Sequence, residues 1–338
     1  MKHSPNTWAG KLTIIKDNRM KILQTVTGNV PATELGMILP HEHLFTDLRG
    51  PEVLGYAVGD PEKVAEVMKP FLEDAYQHGI TALVECSTVG VGRNIPVLQR
   101  ISETTAIKIV APTGVYRDAY IPASLRTITA EELAERWIGD LTQGIREKPT
   151  DDPFPVKAGF IKIAMSDDAI TTLEARNLKA AAIASRVTGS AVASHTIHGW
   201  IAMREMDLLE AEGMDLNRFV WVHANAEPAQ KFHLEAARRG AYVEFDAIGS
   251  SEQADLEQLQ YVLTMVQAGY ESQVLLSHDA GWYNPGHPQG KPSDEGIRGY
   301  TALVIRFLPM LKEHGVSDEL IKLMTQINPA RAFRIAEK

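Results

Sequence analysis

The sequence predicts an α/β protein, a (β/α)8 TIM barrel preceded by an N-terminal β-hairpin, on three observations. Short and nearly all-apolar runs alternate with longer helical patterns along most of the chain. Strands covered on both faces by helices read in this way. Eight such runs are present, the number a closed barrel needs. The first run ends in His41-Glu42-His43 rather than in a glycine-rich phosphate loop, which disfavours the competing doubly wound open sheet.

The elements follow in order. Ile22 to Gly36 alternates and is broken by Gly28-Asn29 and Pro31, so it reads as a hairpin covering the barrel floor. The eight strand runs are 37–45, 81–87, 107–113, 158–164, 190–195, 219–224, 241–246 and 272–279. Between the third and fourth, Leu133, Trp137, Ile138, Leu141 and Ile145 make the apolar stripe of an amphipathic helix over 130–145. Thr129 with Glu132, and Thr171 with Glu174, have the spacing of capping boxes at two helix starts. Asn328-Pro329 reads as the cap and first residue of a last short helix.

Composition narrows the function. The 338 residues are 44% hydrophobic and 23% charged, ordinary for a globular chain able to bury a large core. A net charge of -9 excludes a nucleic-acid binder working through a general basic surface. No apolar run reaches membrane-helix length, and the first twenty residues carry no signal-peptide pattern. Cys86 is the single cysteine, so no disulfide forms within the chain; it is expected in the core. The expectation is a cytoplasmic protein with a small-molecule substrate and no nucleic-acid or membrane partner. Residues 1–20 read as an extension and 21–338 as a single barrel domain.

Catalytic residues of such barrels sit at the C-terminal ends of strands. Here those ends carry His41 and His43, then Lys162, His195, His223 and Asp279. Counted from His41 the gaps are 121, 33, 28 and 56 residues. At roughly 30–40 residues per βα unit these are three units, one, one and two. Polar residues thus recur in phase with the barrel. Residues i and i+2 on a strand share a face, so His41 and His43 can reach one metal while Glu42 points away. Imidazole and carboxylate donors suit zinc or another divalent first-row ion. Taken singly, each has a plainer explanation: a hydrogen-bonded strand histidine, or an aspartate capping a helix. Lys162 is the hardest to explain alone, because a lysine inside an apolar strand is costly unless paired or neutralised.

TVTGNV, LGMILPHEHLF, GFIKIA, SHT, the histidine of the sixth strand and SHD together resemble the phosphotriesterase family of the amidohydrolase superfamily, from about Thr25 to Phe333. The resemblance implies a hydrolase with two divalent ions (Zn2+ expected; Mn2+, Co2+ or Fe2+ as alternatives). It implies that His41 and His43 hold the first ion, and that His195 and His223 hold the second. Lys162, carboxylated on its ε-nitrogen, would bridge them. Asp279 would bind the first ion and take a proton from the nucleophile, a hydroxide bridging the metals. An ester-type bond would be cleaved: a lactone, a carboxylic ester or a phosphoester. A carbamate on Lys162 also answers the buried-amine problem, since it turns a cation into a two-oxygen anion.

Tyr116 matches a cavity tyrosine of the lactonase branch. Ala247 stands where those lactonases carry arginine, and FDAIG looks like the phosphotriesterase-related branch. The Gly- and Pro-rich loop after Asp279 places Trp282, Tyr283 and His287 as candidate substrate contacts, with His198 and Trp200 after the fifth strand. Arg93 reads as an anion contact or an exposed arginine. His3, His78, His233 and His314 read as solvated, and His278 as structural. Two other function classes remain open at this stage: a non-catalytic ligand-binding protein that keeps the metals, and a lyase or isomerase on the same metals. A homodimer is compatible with the family.

Overall fold

The computed structural model describes residues 22–146, 155–291 and 296–335. The expected extension, residues 1–20, lies outside the described residues. The hairpin strands are β1 (Ile22–Thr25) and β2 (Gly28–Pro31), paired antiparallel. The barrel strands are β3 (Met37–Phe45), β4 (Ile80–Glu85), β5 (Lys108–Val110), β6 (Pro112–Val115), β7 (Phe160–Ala164), β8 (Val192–His195), β9 (Phe219–Val222), β10 (Tyr242–Phe245), β11 (Val274–Leu276) and β12 (Gly281–Tyr283). β5 and β6 are halves of one strand broken at Ala111; β11 and β12 are halves of another. Among the described residues this makes eight strands, each paired in parallel with its neighbours, and β12 closes the ring on β3.

The helices between the strands are α1 (Pro61–Gln77), α2 (Ile95–Thr104), α3 (Ala130–Thr142), α4 (Thr172–Thr188), α5 (Gly199–Ala211), α6 (Lys231–Arg238) and α7 (Glu252–Gln267). Both expected capping boxes form. Glu132 N donates to Thr129 Oγ1 at 3.2 Å while Thr129 N donates to Glu132 Oε2 at 2.8 Å. Thr171 and Glu174 repeat the exchange at 3.2 and 2.9 Å. Among the described residues, no helix is long and apolar enough to cross a membrane.

Strand alternation divides the core in two. On β7, Ile161 and Ile163 face the helices, while Phe160 belongs to the inner cluster with Leu23, Ile38, Val220, Leu275 and Phe333. Leu23 is fully buried there, so the hairpin does plug the floor; Val26 N donates to Ile109 O at 2.8 Å, tying it to the barrel. Lys162, between Ile161 and Ile163, must therefore point inward.

The C-terminal region departs from expectation. Asn328 is helical and sits inside a helical run from Asp318 to Phe333 that passes through a π-helical stretch, Leu323–Ile327. Its amide does not cap: Nδ2 donates to Glu271 O and Val274 O at 2.8 and 2.9 Å, anchoring the helix to the start of β11. His233 is buried rather than solvated. Its Nε2 donates to Ala224 O at 2.7 Å, and its ring packs against Trp221, Phe245 and Tyr261. Arg93 is neither exposed nor turned to the cavity; it reaches Pro112 O at 3.3 Å and Asp140 at 3.4 Å.

Two predictions follow from packing and charge. Gly114 pairs with Lys162 across β6 and β7 at φ 111°, and a Cβ there would stand 1.9 Å from Lys162 O. Gly114→Ala is expected to lower unfolding stability by more than about 1 kcal/mol, read by urea denaturation. A variant as stable as the parent would refute the close approach. Glu205 on α5 is fully buried, accepts from Thr196 Oγ1, and leaves Oε2 without a partner among the described residues. Burial pushes its carboxyl up to about 8, and the Ser194 and Thr196 hydroxyls offset only part of this. The folded chain then holds a proton that the unfolded chain releases, so this contribution to stability declines as pH rises through that window. Glu205→Gln is expected to gain on the parent by up to about 1.4 kcal/mol per pH unit above the ordinary carboxylate range. A constant difference between parent and variant from pH 5 to 8 would refute it.

Candidate metal centre

One cavity of about 150 Å3 opens at the C-terminal ends of the strands. It is lined by His41, His43, Lys162, His195, His223 and Asp279, with Thr46, Leu48, Cys86, Val91, Tyr116 and Trp282. The six residues predicted from strand phase are thus together. β3 carries His41 and His43, β7 carries Lys162, and His195 ends β8. His223 follows β9, and Asp279 lies between β11 and β12. Both adopt left-handed backbone, at φ 62° and 50°. Trp282, on β12, does the same at φ 60°.

Distances show how the rings are held. Asp279 Oδ1 is 3.0 Å from His43 Nε2 and 3.4 Å from His41 Nε2. The rings of His41 and His223 are 4.9 Å apart, and those of His195 and His223 4.4 Å. Behind them stands a second layer. His41 Nδ1 is 2.9 Å from Glu244 Oε1 and 3.4 Å from Asp246 Oδ2. Asp246 Oδ1 is 2.9 Å from His223 Nδ1, and its Oδ2 accepts from His223 N at 2.9 Å. His43 Nδ1 meets Ser87 Oγ at 2.8 Å, with Glu85 Oε1 at 3.5 Å.

The donor atoms of His41, His43 and Asp279 cluster closely enough to share an ion. His41, His223 and Asp246 also cluster. In that second group Asp246 bonds or approaches the Nδ1 atoms, so it is the hydrogen-bonded back of the same centre. Lys162 is 2% exposed, lines the cavity, and its Nζ has no hydrogen-bond partner among the described residues. A buried amine left so is expensive. Four imidazoles, a carboxylate and an unanswered amine around one cavity fit a divalent metal centre.

Charge is distributed accordingly. Burial opposes protonation of His43, but the neighbouring carboxylates of Asp279 and Glu85 outweigh this and raise it to about 9. Burial and the neighbouring His223 and Lys162 hold His195 well below the usual imidazole range, so it is neutral. Burial would raise Asp279, yet its contacts with His41 and His43 hold it well below the usual carboxylate range.

The substrate-contact expectations divide. Tyr116 and Trp282 line the cavity. Tyr116 OH is 3.2 Å from His195 Nδ1, burial pushes this hydroxyl up and keeps it protonated, and the Trp282 ring meets His43 edge-on at 5.9 Å. Tyr283 does not line it. It follows Trp282 on a strand and so faces the other way, stacked on Phe45 at 6.0 Å. His198 is exposed at the N-cap of α5, with Trp200 half-exposed beside it. His287 also stands outside the cavity, in the loop, its Nδ1 3.4 Å from Pro288 O. Sequence reasoning missed Thr46, Leu48 and Val91 as lining residues. Cys86 lies in the inner core cluster, as expected, and, directly after β4, it also lines the cavity. Glu244 and Asp246 were missed because they lie within and just after an otherwise apolar strand.

The sequence profile of the phosphotriesterase family matches residues 21–333. The phosphotriesterase homology protein of Escherichia coli K12 is 30% identical, over 88% of this chain and 98% of its own length. The aryldialkylphosphatase of Saccharolobus solfataricus is 25% identical, over 93% of this chain and 100% of its own. Among solved structures, a variant of the organophosphorus hydrolase from Deinococcus radiodurans superposes with a TM-score of 0.82 at 30% identity, covering 93% of this chain and 97% of that one. A variant phosphotriesterase-like lactonase from the same organism gives 0.81 at 30% identity, covering 92% and 99%. Barrel, cavity and sequence agree that the chain belongs to the phosphotriesterase family.

Proposed function

We propose that this chain is a metal-dependent hydrolase that cleaves an ester-type bond in a small molecule: a lactone, a carboxylic ester or a phosphotriester. The observation that carries it is the meeting of His41, His43, His195, His223 and Asp279 around the unpartnered amine of Lys162. The named relatives, a lactonase and organophosphate hydrolases among them, support the bond class. In this reading His41, His43 and Asp279 would hold one divalent ion and His195 and His223 a second, with Lys162, once carboxylated, as a further anionic ligand. When bound, such ions supply Lewis acidity toward the scissile carbonyl or phosphoryl oxygen and lower the pKa of water.

The chain's own residues do the rest. The Asp279 side chain is 37% exposed, against 1% for Asp246, so it is the carboxylate that a reacting water can meet. Held ionised beside His41 and His43, it is placed to accept the proton of that water. Tyr116 keeps its hydroxyl proton beside His195 and can donate to a substrate oxygen. Leu48, Val91 and Trp282 form the apolar wall, which excludes water from the bond being cleaved and favours an uncharged substrate.

The test is a hydrolysis panel of lactones, aryl and alkyl esters and phosphotriesters, run on zinc- and manganese-loaded protein. About two ions per chain are expected. His41→Ala is expected to lose metal and activity together. Chelation should abolish turnover and added ions restore it, faster with bicarbonate present if Lys162 must be carboxylated. Full activity in a metal-free preparation would overturn the reading. Asp279→Asn is expected to lower kcat by about 10²–10⁴-fold with the fold intact by circular dichroism. Unchanged kcat would remove Asp279 from the proton path.

A further inference from the structure

The inward face of β10 reads Tyr242, Glu244 and, one step beyond the strand, Asp246, while Val243 and Phe245 point to the helices. Tyr242 is an ordinary member of the inner apolar cluster. Glu244 is not: it is a fully buried carboxyl in the barrel interior. Its Oε1 lies 2.9 Å from His41 Nδ1, and its Oε2 has no partner among the described residues. A leucine or valine would fill this place without an idle polar oxygen, so the carboxyl is kept at a cost in stability.

We propose that Glu244 is a positioning residue for His41: it fixes which ring nitrogen carries the proton and thereby how firmly His41 holds an ion at the other. The inference rests on the metal-site reading above. In its ionised form the Glu244 carboxylate only accepts hydrogen bonds, so the 2.9 Å contact is then made with the hydrogen on Nδ1. The lone pair then stands on Nε2, which faces Asp279 at 3.4 Å. Asp246 cannot replace Glu244 at this task. Its nearer oxygen is 3.4 Å from His41 Nδ1 and already accepts from His223 N at 2.9 Å, and its other oxygen is taken by His223 Nδ1. The two histidines of β3 are thus supported unequally. His41 has a direct carboxylate, which raises its basicity as a ligand; His43 has the neutral hydroxyl of Ser87, with Glu85 half an ångström too far for a good bond.

The test is cobalt(II) titration against a competing chelator, on the parent chain, Glu244→Gln and Glu244→Leu, with thermal unfolding of each metal-free protein alongside. Cobalt affinity is expected to fall about tenfold in the Gln variant and up to about 100-fold in the Leu variant. The visible absorption of bound cobalt should shift in both, while the metal-free unfolding midpoint stays level or rises. Gln has nearly the shape of Glu and carries the test if the Leu variant does not fold. Wild-type affinity and spectrum in both variants would overturn the proposal. So would a lowered metal-free midpoint with affinity unchanged, which would make Glu244 merely structural. A parent chain that takes up no cobalt would overturn the metal-site reading and this inference together, a result distinct from variants that bind as the parent does.

Discussion

A buried imidazole has two ring nitrogens, and a barrel can offer only one of them to a central cavity. The other must be answered from behind or stay unsatisfied in a dry interior, at roughly 1–3 kcal/mol. Much of the upper barrel follows from this. His41 is answered by Glu244, His223 by Asp246 and His43 by Ser87. Glu85, next in line behind Ser87, is itself held by the backbone amides of Leu44 and Ser87 at 2.5 and 2.7 Å. A layer of histidines facing the cavity therefore requires a layer of acceptors one step deeper, and strand alternation supplies it: Glu244 and Asp246, two apart on one strand, serve two rings on two others.

The same economy of partners holds the junction between the first and last strands. Glu42 faces away from the cavity, and its Oε1 accepts from Ser277 Oγ, His278 N and His278 Nδ1 at 2.8, 3.0 and 2.6 Å. Its Oε2 accepts from Ala280 N at 2.9 Å. Leu303 N donates to the remaining nitrogen of His278 at 2.9 Å, and Arg298 holds the carbonyls of His278 and Asp279. Asp279 sits in the middle of this clamp at positive φ, a conformation costing of order 1–3 kcal/mol that persists only where its surroundings over-determine it. Tyr300 OH, donating to His43 O at 2.7 Å, completes the seam.

The inner surface of the barrel was legible in the sequence because it repeats: residues at matching heights return with each βα unit, and one chain shows the period. The capping boxes were legible because both partners lie within one turn. What stayed hidden depends on direction or on distant partners. Tyr283 and Trp282 are adjacent, and only the pairing of Tyr283 with Phe45 shows which of them turns outward. Asn328 resembles a cap until Glu271 and Val274, more than fifty residues away, claim its amide. His233 resembles a surface histidine because its helix is short, yet its ring lies under three aromatic side chains. Glu244 reads as a polar interruption of a strand until the ring of His41 is seen beside it.

Barrel closure by β12 on β3 also has a temporal consequence. His41 and Asp279 are brought together by contacts spanning 236 to 238 residues, among them the hydrogen bonds of Ser277 with His41 and of Glu42 with Ala280. During synthesis the chain must hold the His-x-His pair for most of its length before its carboxylate partner exists. Closing so long a loop is entropically slow. A nascent chain therefore passes through a stage in which both imidazoles are already made and the aspartate that meets them in the folded barrel is not.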